Sequence, residues 1–301
     1  MSLQGYVFCK MCKKSDLKRD KGLTIPRDIE YIKDIRYGKN KKYHILDICW
    51  PKYIDERLID CSKDKLPVII NVHGGGYVYG NKEVYQYYAA NLAQKGFVVI
   101  NYNYRLAPRY KFPAPLEDLN EVIKWSLENQ DDYPVDMENV FLIGDSAGAQ
   151  IACQYGCIYS NSQYERIMEI TKPKVTIKAL SLACGMYDLK KRIVAEGKTG
   201  VIRDYLTANP ERFGEKLDII EHITGNFPPV FLFTAKGDFL MEECQPMAEL
   251  LESKGVQCEY KIYGNEQTGH VFHVDMRNEY STIANQNQTE FFKRIMSDCY
   301  F

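Results

Sequence analysis

The sequence predicts an α/β fold, a mostly parallel eight-stranded sheet with helices on both faces. Three observations point there. Short runs of β-branched and aromatic residues alternate with stretches of helical period along most of the 301 residues. Two of the apolar runs end abruptly in glycine-rich turns, where chemistry is placed in folds of this class. The third is bulk: 45% hydrophobic content is enough to bury a large core as one domain, 1–301.

In chain order, β-type runs fall at 31–37, 43–49, 68–72, 97–101, 140–143, 175–182, 230–234 and 256–263. Helical patterns fall at 84–95, 116–129, 147–159, 243–253 and 283–296. The first two strands follow each other almost directly, so they are expected to form an antiparallel hairpin at one edge. The later strands are mostly separated by helices, which lets them run parallel. The stretch 186–228 breaks the alternation with polar, aromatic and helix-like sequence. It reads as a small inserted cap over the sheet edge where ligands bind, with the N-terminal segment 1–30 as a candidate second part. The charge run 10–21 reads as a solvated face or a loose N-terminal segment. No internal repeat is visible.

Ser146 stands in Gly144-Asp145-Ser146-Ala147-Gly148, between an apolar strand and a small-residue helix. This is the arrangement of a nucleophile elbow, in which a strained turn lifts the hydroxyl into the open. The same turn puts the Ala147 amide at a helix start, where an unpaired N–H and the helix dipole can meet an oxyanion. Upstream, the strand Leu66-Pro67-Val68-Ile69-Ile70-Asn71-Val72 ends in His73-Gly74-Gly75-Gly76-Tyr77. Consecutive glycines let bare backbone turn its N–H groups toward a ligand, so Gly75 and Gly76 are the expected partner donors of an oxyanion hole. Tyr77, beside them, is a candidate substrate contact.

An elbow serine needs a base and an orienting acid, which in α/β-hydrolases follow it in the order acid, then histidine. Five histidines exist, and His44 and His73 precede the serine. His222 falls in the proposed cap, which leaves His270 and His273 after the last strand, with His270 preferred. Asp238 follows the strand Val230-Phe231-Leu232-Phe233-Thr234 on a short loop and suits the acid. Glu242 and Glu243 instead suit the first turn of the next helix.

With these residues assembled, the chain resembles the hormone-sensitive-lipase-like branch of the α/β-hydrolases, from about Leu66 to the C-terminus. The resemblance rests on His73-Gly74-Gly75-Gly76, on Tyr104-Arg105-Leu106-Ala107-Pro108 followed by Phe112-Pro113-Ala114, on Gly144-Asp145-Ser146-Ala147-Gly148, on Gly237-Asp238 and on Gly269-His270. It implies a serine carboxylesterase acting on short-chain acyl esters through an acyl-enzyme, with Ser146, Asp238 and His270 as the triad. The Tyr104–Pro108 run has a structural role in that family. Arg109, Ala149, Phe239 and Val271 depart from the family's usual residues, which bears on substrate rather than on reacting groups. An acetyl-sugar or xylan esterase, an aryl formamidase, and a non-catalytic small-molecule receptor on the same fold are the alternatives carried.

A net charge of −1 with both signs mixed argues against nucleic acid as a partner. No stretch approaches a membrane span and no secretory signal is visible, so a cytoplasmic location is expected. Ten scattered cysteines in so long a chain read as free thiols. Cys9-Lys10-Met11-Cys12 has half the spacing of a zinc knuckle with nothing to complete it, so no metal is expected, and the chemistry needs no cofactor. The expected partner is a small-molecule ester, and a homodimer is left open.

Overall fold

The computed structural model describes residues 1–52, 65–196, 200–207 and 209–297. Its eight strands are β1 (Ile29–Arg36), β2 (Ile45–Pro51), β3 (Leu66–Val72), β4 (Val98–Tyr102), β5 (Val135–Asp145), β6 (Ile177–Ala183), β7 (Val230–Ala235) and β8 (Cys258–Tyr263). They form one sheet in the order β1-β2-β4-β3-β5-β6-β7-β8. β1 pairs antiparallel with β2, and β2 antiparallel with β4; every later pairing is parallel.

The helices are α1 (Leu3–Arg19), α2 (Gln86–Ala93), α3 (Ala114–Glu128), α4 (Ala147–Ser160), α5 (Ser162–Met168), α6 (Leu189–Glu196), α7 (Gly200–Tyr205), α8 (Met241–Ser253) and α9 (Glu279–Ser297). Alternating side chains of the central strands feed two cores. On one face Val68, Ile70 and Val72 meet Leu119 and Val122 of α3 and Ile151 of α4. On the other, Ile69, Phe141 and Phe233 meet Leu92 of α2 and Phe292 of α9. Covered on both sides, β3 and β7 can be apolar at nearly every position. Among the described residues no helix is long and apolar enough to cross a membrane.

Several elements refine or differ from the sequence expectation. Of the two readings of the charge run 10–21, the structure gives the solvated face: its residues up to Arg19 lie on α1, whose Lys10, Lys13, Lys14 and Lys18 are exposed, and Ser2 caps that helix by accepting the Gly5 amide at 3.0 Å. The predicted helix 84–95 is a 3₁₀ turn, Lys82–Tyr85, followed by α2. β5 begins earlier than its apolar stretch because Leu66 and Pro67 pair with Val135 and Asp136 before a register shift. α5, unanticipated, starts where Asn161 accepts the amides of Gln163 and Tyr164. Between β6 and β7 lie α6, α7 and two 3₁₀ turns, Pro210–Leu217 and Ile220–His222. Residues 197–199 and Ala208 of this stretch lie outside the described residues.

The strand order positions the site. β4 lies on one side of β3 and β5 on the other, so the chain reverses its direction of travel across the sheet there. Val72 pairs with Gly144, so the loop after β3 and the turn after β5 emerge side by side at the carboxyl ends of the strands.

Candidate active site

Ser146 is the first residue beyond β5 and carries φ 52 and ψ −118, a strained combination for a residue with a side chain. Its amide is pinned to the Ala183 carbonyl at 2.9 Å, which anchors the turn to β6. The flanking glycines are steric requirements. A Cβ on Gly144 would sit 2.4 Å from the Gly148 carbonyl oxygen, and one on Gly148 would sit 2.0 Å from that of Val72. α4 then begins at Ala147.

After β3, Gly75 adopts φ 115, and a Cβ there would lie 2.2 Å from the Tyr79 carbonyl oxygen. The Gly74 amide donates to the Tyr85 hydroxyl at 2.9 Å. Among the described residues none accepts a hydrogen bond from the amides of Gly75, Gly76 or Ala147. All three residues border one cavity of about 630 Å³, together with Ser146 and His270. That leaves backbone donors beside a strained hydroxyl.

Asp238 lies just beyond β7 and His270 beyond β8, and the two loops are joined where the Gly237 amide meets the Thr268 carbonyl at 3.0 Å. His270 Nδ1 donates to Asp238 Oδ1 at 2.7 Å. The same Oδ1 accepts the Leu240 amide at 2.9 Å, and Oδ2 accepts the Thr234 hydroxyl at 2.7 Å. Burial acts to raise the Asp238 pKa. The hydrogen bond and charge of His270, with the Leu240 amide and Thr234 hydroxyl, outweigh it and hold the carboxyl at about 2 instead of 3.8. A carboxylate anchored at Nδ1 leaves the imidazole Nε2 able to accept a proton.

Strained serine, carboxylate-oriented imidazole and unpaired amides are the parts needed for acyl transfer. A family model described as the alpha/beta hydrolase fold matches residues 69–274, from β3 to just past His270. The chain belongs to the alpha/beta hydrolase family.

The hydrolase is 24% identical to an acetyl esterase of Salmonella schwarzengrund, over 81% of this chain and 77% of that one. It is 28% identical to carboxylesterase NlhH of Mycobacterium tuberculosis, over 70% of this chain and 66% of that one. Among solved structures, esterase B of Lactobacillus rhamnosis, inhibited by a tributyrin phosphonate, superposes with a TM-score of 0.87 at 19% identity, over 98% and 94% of the two chains. A hyperthermophilic esterase from Pyrobaculum calidifontis gives 0.74 at 24% identity, over 98% and 92%. These two superpositions speak for the fold.

The hydrolase's other histidines are spent elsewhere. His273 is buried with edge contacts to Tyr88 and Phe233, and burial pushes its pKa down to about 3. His73 stacks on Tyr104 beneath the glycine loop, with its pKa pushed down by burial to about 4. His44 meets Asp118 at 3.1 Å, and His222 stacks on Tyr164. Tyr77 borders the cavity but is 1% exposed, its ring stacked on Tyr205 at 3.8 Å and its hydroxyl donating to Gln150. Its phenol is thus committed to packing.

One contributor escaped the sequence. Asp145 accepts the Tyr85 hydroxyl at 2.8 Å, so the carboxylate beside the serine holds the glycine loop through Tyr85. Burial pushes this carboxyl up to about 7, against the lowering influence of Tyr85 and His270. No local pattern announces Tyr85. Within the N-terminal segment 1–30, expected as a candidate second part of the cap, Phe8, Cys12, Asp16 and Arg19 of α1 border the cavity with Met186, Arg192 and Val201 from beyond β6. Cys184 lies within 4.8 Å of Asp238 and His270, but the facing atoms of that pair already bond each other. Cys9 donates to the Val78 carbonyl, and among the described residues it joins no cluster of metal-ligating side chains.

Proposed function

We propose that this alpha/beta hydrolase is a serine carboxylesterase acting on short-chain acyl esters. The observation that carries the reading is the 2.7 Å bond from His270 to Asp238, in a cavity shared with Ser146 and the amides of Gly75, Gly76 and Ala147. Ser146 Oγ attacks the acyl carbonyl while His270 Nε2 takes its proton. Asp238 holds the tautomer and stabilises the imidazolium. The carbonyl oxygen, now anionic, accepts the three amides. Collapse expels the alcohol, protonated by His270, and water activated by the same imidazole releases the acid. The names of the acetyl esterase and carboxylesterase relatives support this chemistry.

α1 and the stretch between β6 and β7 together act as the cap, since both border the cavity and Ser2 of the first bonds Asp204 of the second. Phe8, Met186 and Val201 give the cavity an apolar wall for the acyl group, and the resemblance to hormone-sensitive-lipase-like esterases implies chains of about two to six carbons. The test is hydrolysis of p-nitrophenyl esters by the wild type and by Ser146→Ala. Loss of several powers of ten in kcat with an intact fold is expected, and near-normal turnover would refute the serine mechanism. Faster cleavage of a dodecanoate than of a butyrate, below micelle formation, would refute the chain-length reading.

A further inference from the structure

The helix that walls the cavity presents a different chemistry outward. α1 is tied down along its length. The Ser2 hydroxyl donates to Asp204 at 2.7 Å, Asp16 accepts the Tyr79 hydroxyl at 2.7 Å, and Arg19 donates to the Val84 carbonyl at 2.8 Å. Three- and four-residue spacing then divides its side chains. Phe8, Cys12, Asp16 and Arg19 turn toward the cavity. Leu3, Tyr6, Val7, Met11 and Leu17 are exposed, with Leu3 at 80% and Met11 at 67%. Lys10, Lys13, Lys14 and Lys18 are exposed among them.

The exposed residues of α1 include no carboxylate, because Asp16 and Asp20 turn onto Arg19. Among the described residues no carboxylate pairs with any of the four lysines. A face that interleaves apolar side chains with lysines matches a lipid–water interface. The apolar groups enter below the headgroups, and the lysine stems extend their ammonium groups to anionic phosphates. The apolar side chains are spread over the helix's 17 residues, roughly 25 Å, rather than gathered into one pocket-filling knob. Phe239, 69% exposed, borders the same cavity beside His270.

We infer that the outer face of α1 seats the protein on an anionic lipid surface, with the cavity of Ser146 beside the headgroups. Docking stands on the helix alone; that the substrate is an ester held in that surface rests on the esterase reading. The experiment is co-sedimentation with vesicles of phosphatidylcholine, alone or mixed with phosphatidylglycerol, at low and high salt. Binding is expected only with phosphatidylglycerol and is expected to weaken with salt. Lys13→Gln/Lys14→Gln should lower partitioning about 25-fold, from about fivefold per lysine. Met11→Gln/Leu17→Gln should lower it severalfold while p-nitrophenyl acetate hydrolysis stays unchanged in both variants. Equal binding to the two vesicle types, no binding to either, or unaltered partitioning of both variants would overturn the inference. So would light scattering that finds a dimer which Met11→Gln/Leu17→Gln dissolves, since the face would then belong to a second copy. Failure of the esterase reading would show separately, as absent hydrolysis in a wild type that still binds vesicles.

Discussion

The substitution Asp238→Asn tests the triad at its most structured point. In an unconstrained pair an amide could turn its NH₂ toward His270 Nδ1, impose the wrong tautomer and cost about 10⁴ in rate, as in other triads. Here the Leu240 amide donates to the same oxygen that faces His270, and Thr234 sits at the other oxygen. Turning the introduced amide would set two N–H groups against each other. Its carbonyl oxygen should therefore stay toward His270, with its NH₂ donating to a rotated Thr234 hydroxyl. Geometry and tautomer survive, and only the charge is lost. A carboxyl held at about 2 instead of 3.8 is stabilised as its anion by about 2–3 kcal/mol, at about 1.4 kcal/mol per tenfold. An imidazolium that develops beside a neutral amide instead of a carboxylate loses a charge-assisted hydrogen bond, about 1.5–3 kcal/mol, on the order of 10- to 10²-fold in acylation. Single-turnover acylation by a p-nitrophenyl ester over a range of pH reads the chemical step directly. A loss of 10⁴ or more would refute the reasoning, because it would mean that Leu240 does not hold the oxygen in place.

His270→Ala should abolish most acylation, whereas His273→Ala should leave kcat nearly intact and cost about 2–4 kcal/mol in denaturant unfolding, since it empties a buried aromatic site; the reverse pattern would exchange their roles. Gly148→Ala should destabilise the protein by about 3 kcal/mol or more, because its Cβ meets backbone oxygens of Val72 and His73 that cannot swing away; an unchanged unfolding midpoint would contradict the packing at the elbow. The Asp145 carboxyl is raised from 3.8 to about 7, so the folded state keeps a proton that the unfolded chain releases, and its contribution to stability falls as pH rises from about 4 to 7. Asp145→Asn should flatten that slope and gain stability relative to wild type between pH 5 and 8; parallel unfolding profiles for the two proteins would refute it.

The strands, the elbow and the glycine loop were legible because each is demanded locally. A strand covered on both faces is apolar at nearly every position, and a backbone turn with no room for a Cβ admits only glycine, so Val68–Val72, Gly144 and Gly148 carry their own structure in their chemistry. The candidate Ser146 followed from that turn. Other features depend on contacts between distant segments, for which one sequence holds no local signal. Gly269-His270 favoured His270 over His273 in the sequence, but the physical reason is tertiary: burial against Tyr88 and Phe233 removes one, and a carboxylate 32 residues away orients the other. Tyr77 borders the cavity as its place beside the glycines suggests, but that its ring stacks on Tyr205 of α7 is decided by packing. α1 lacks a clean apolar stripe because both of its faces are mixed, cysteines and an ion-paired arginine inward and lysines with leucines outward. Its place over the cavity is decided by Asp204, Tyr79 and Val84, partners that come near only once the sheet has folded.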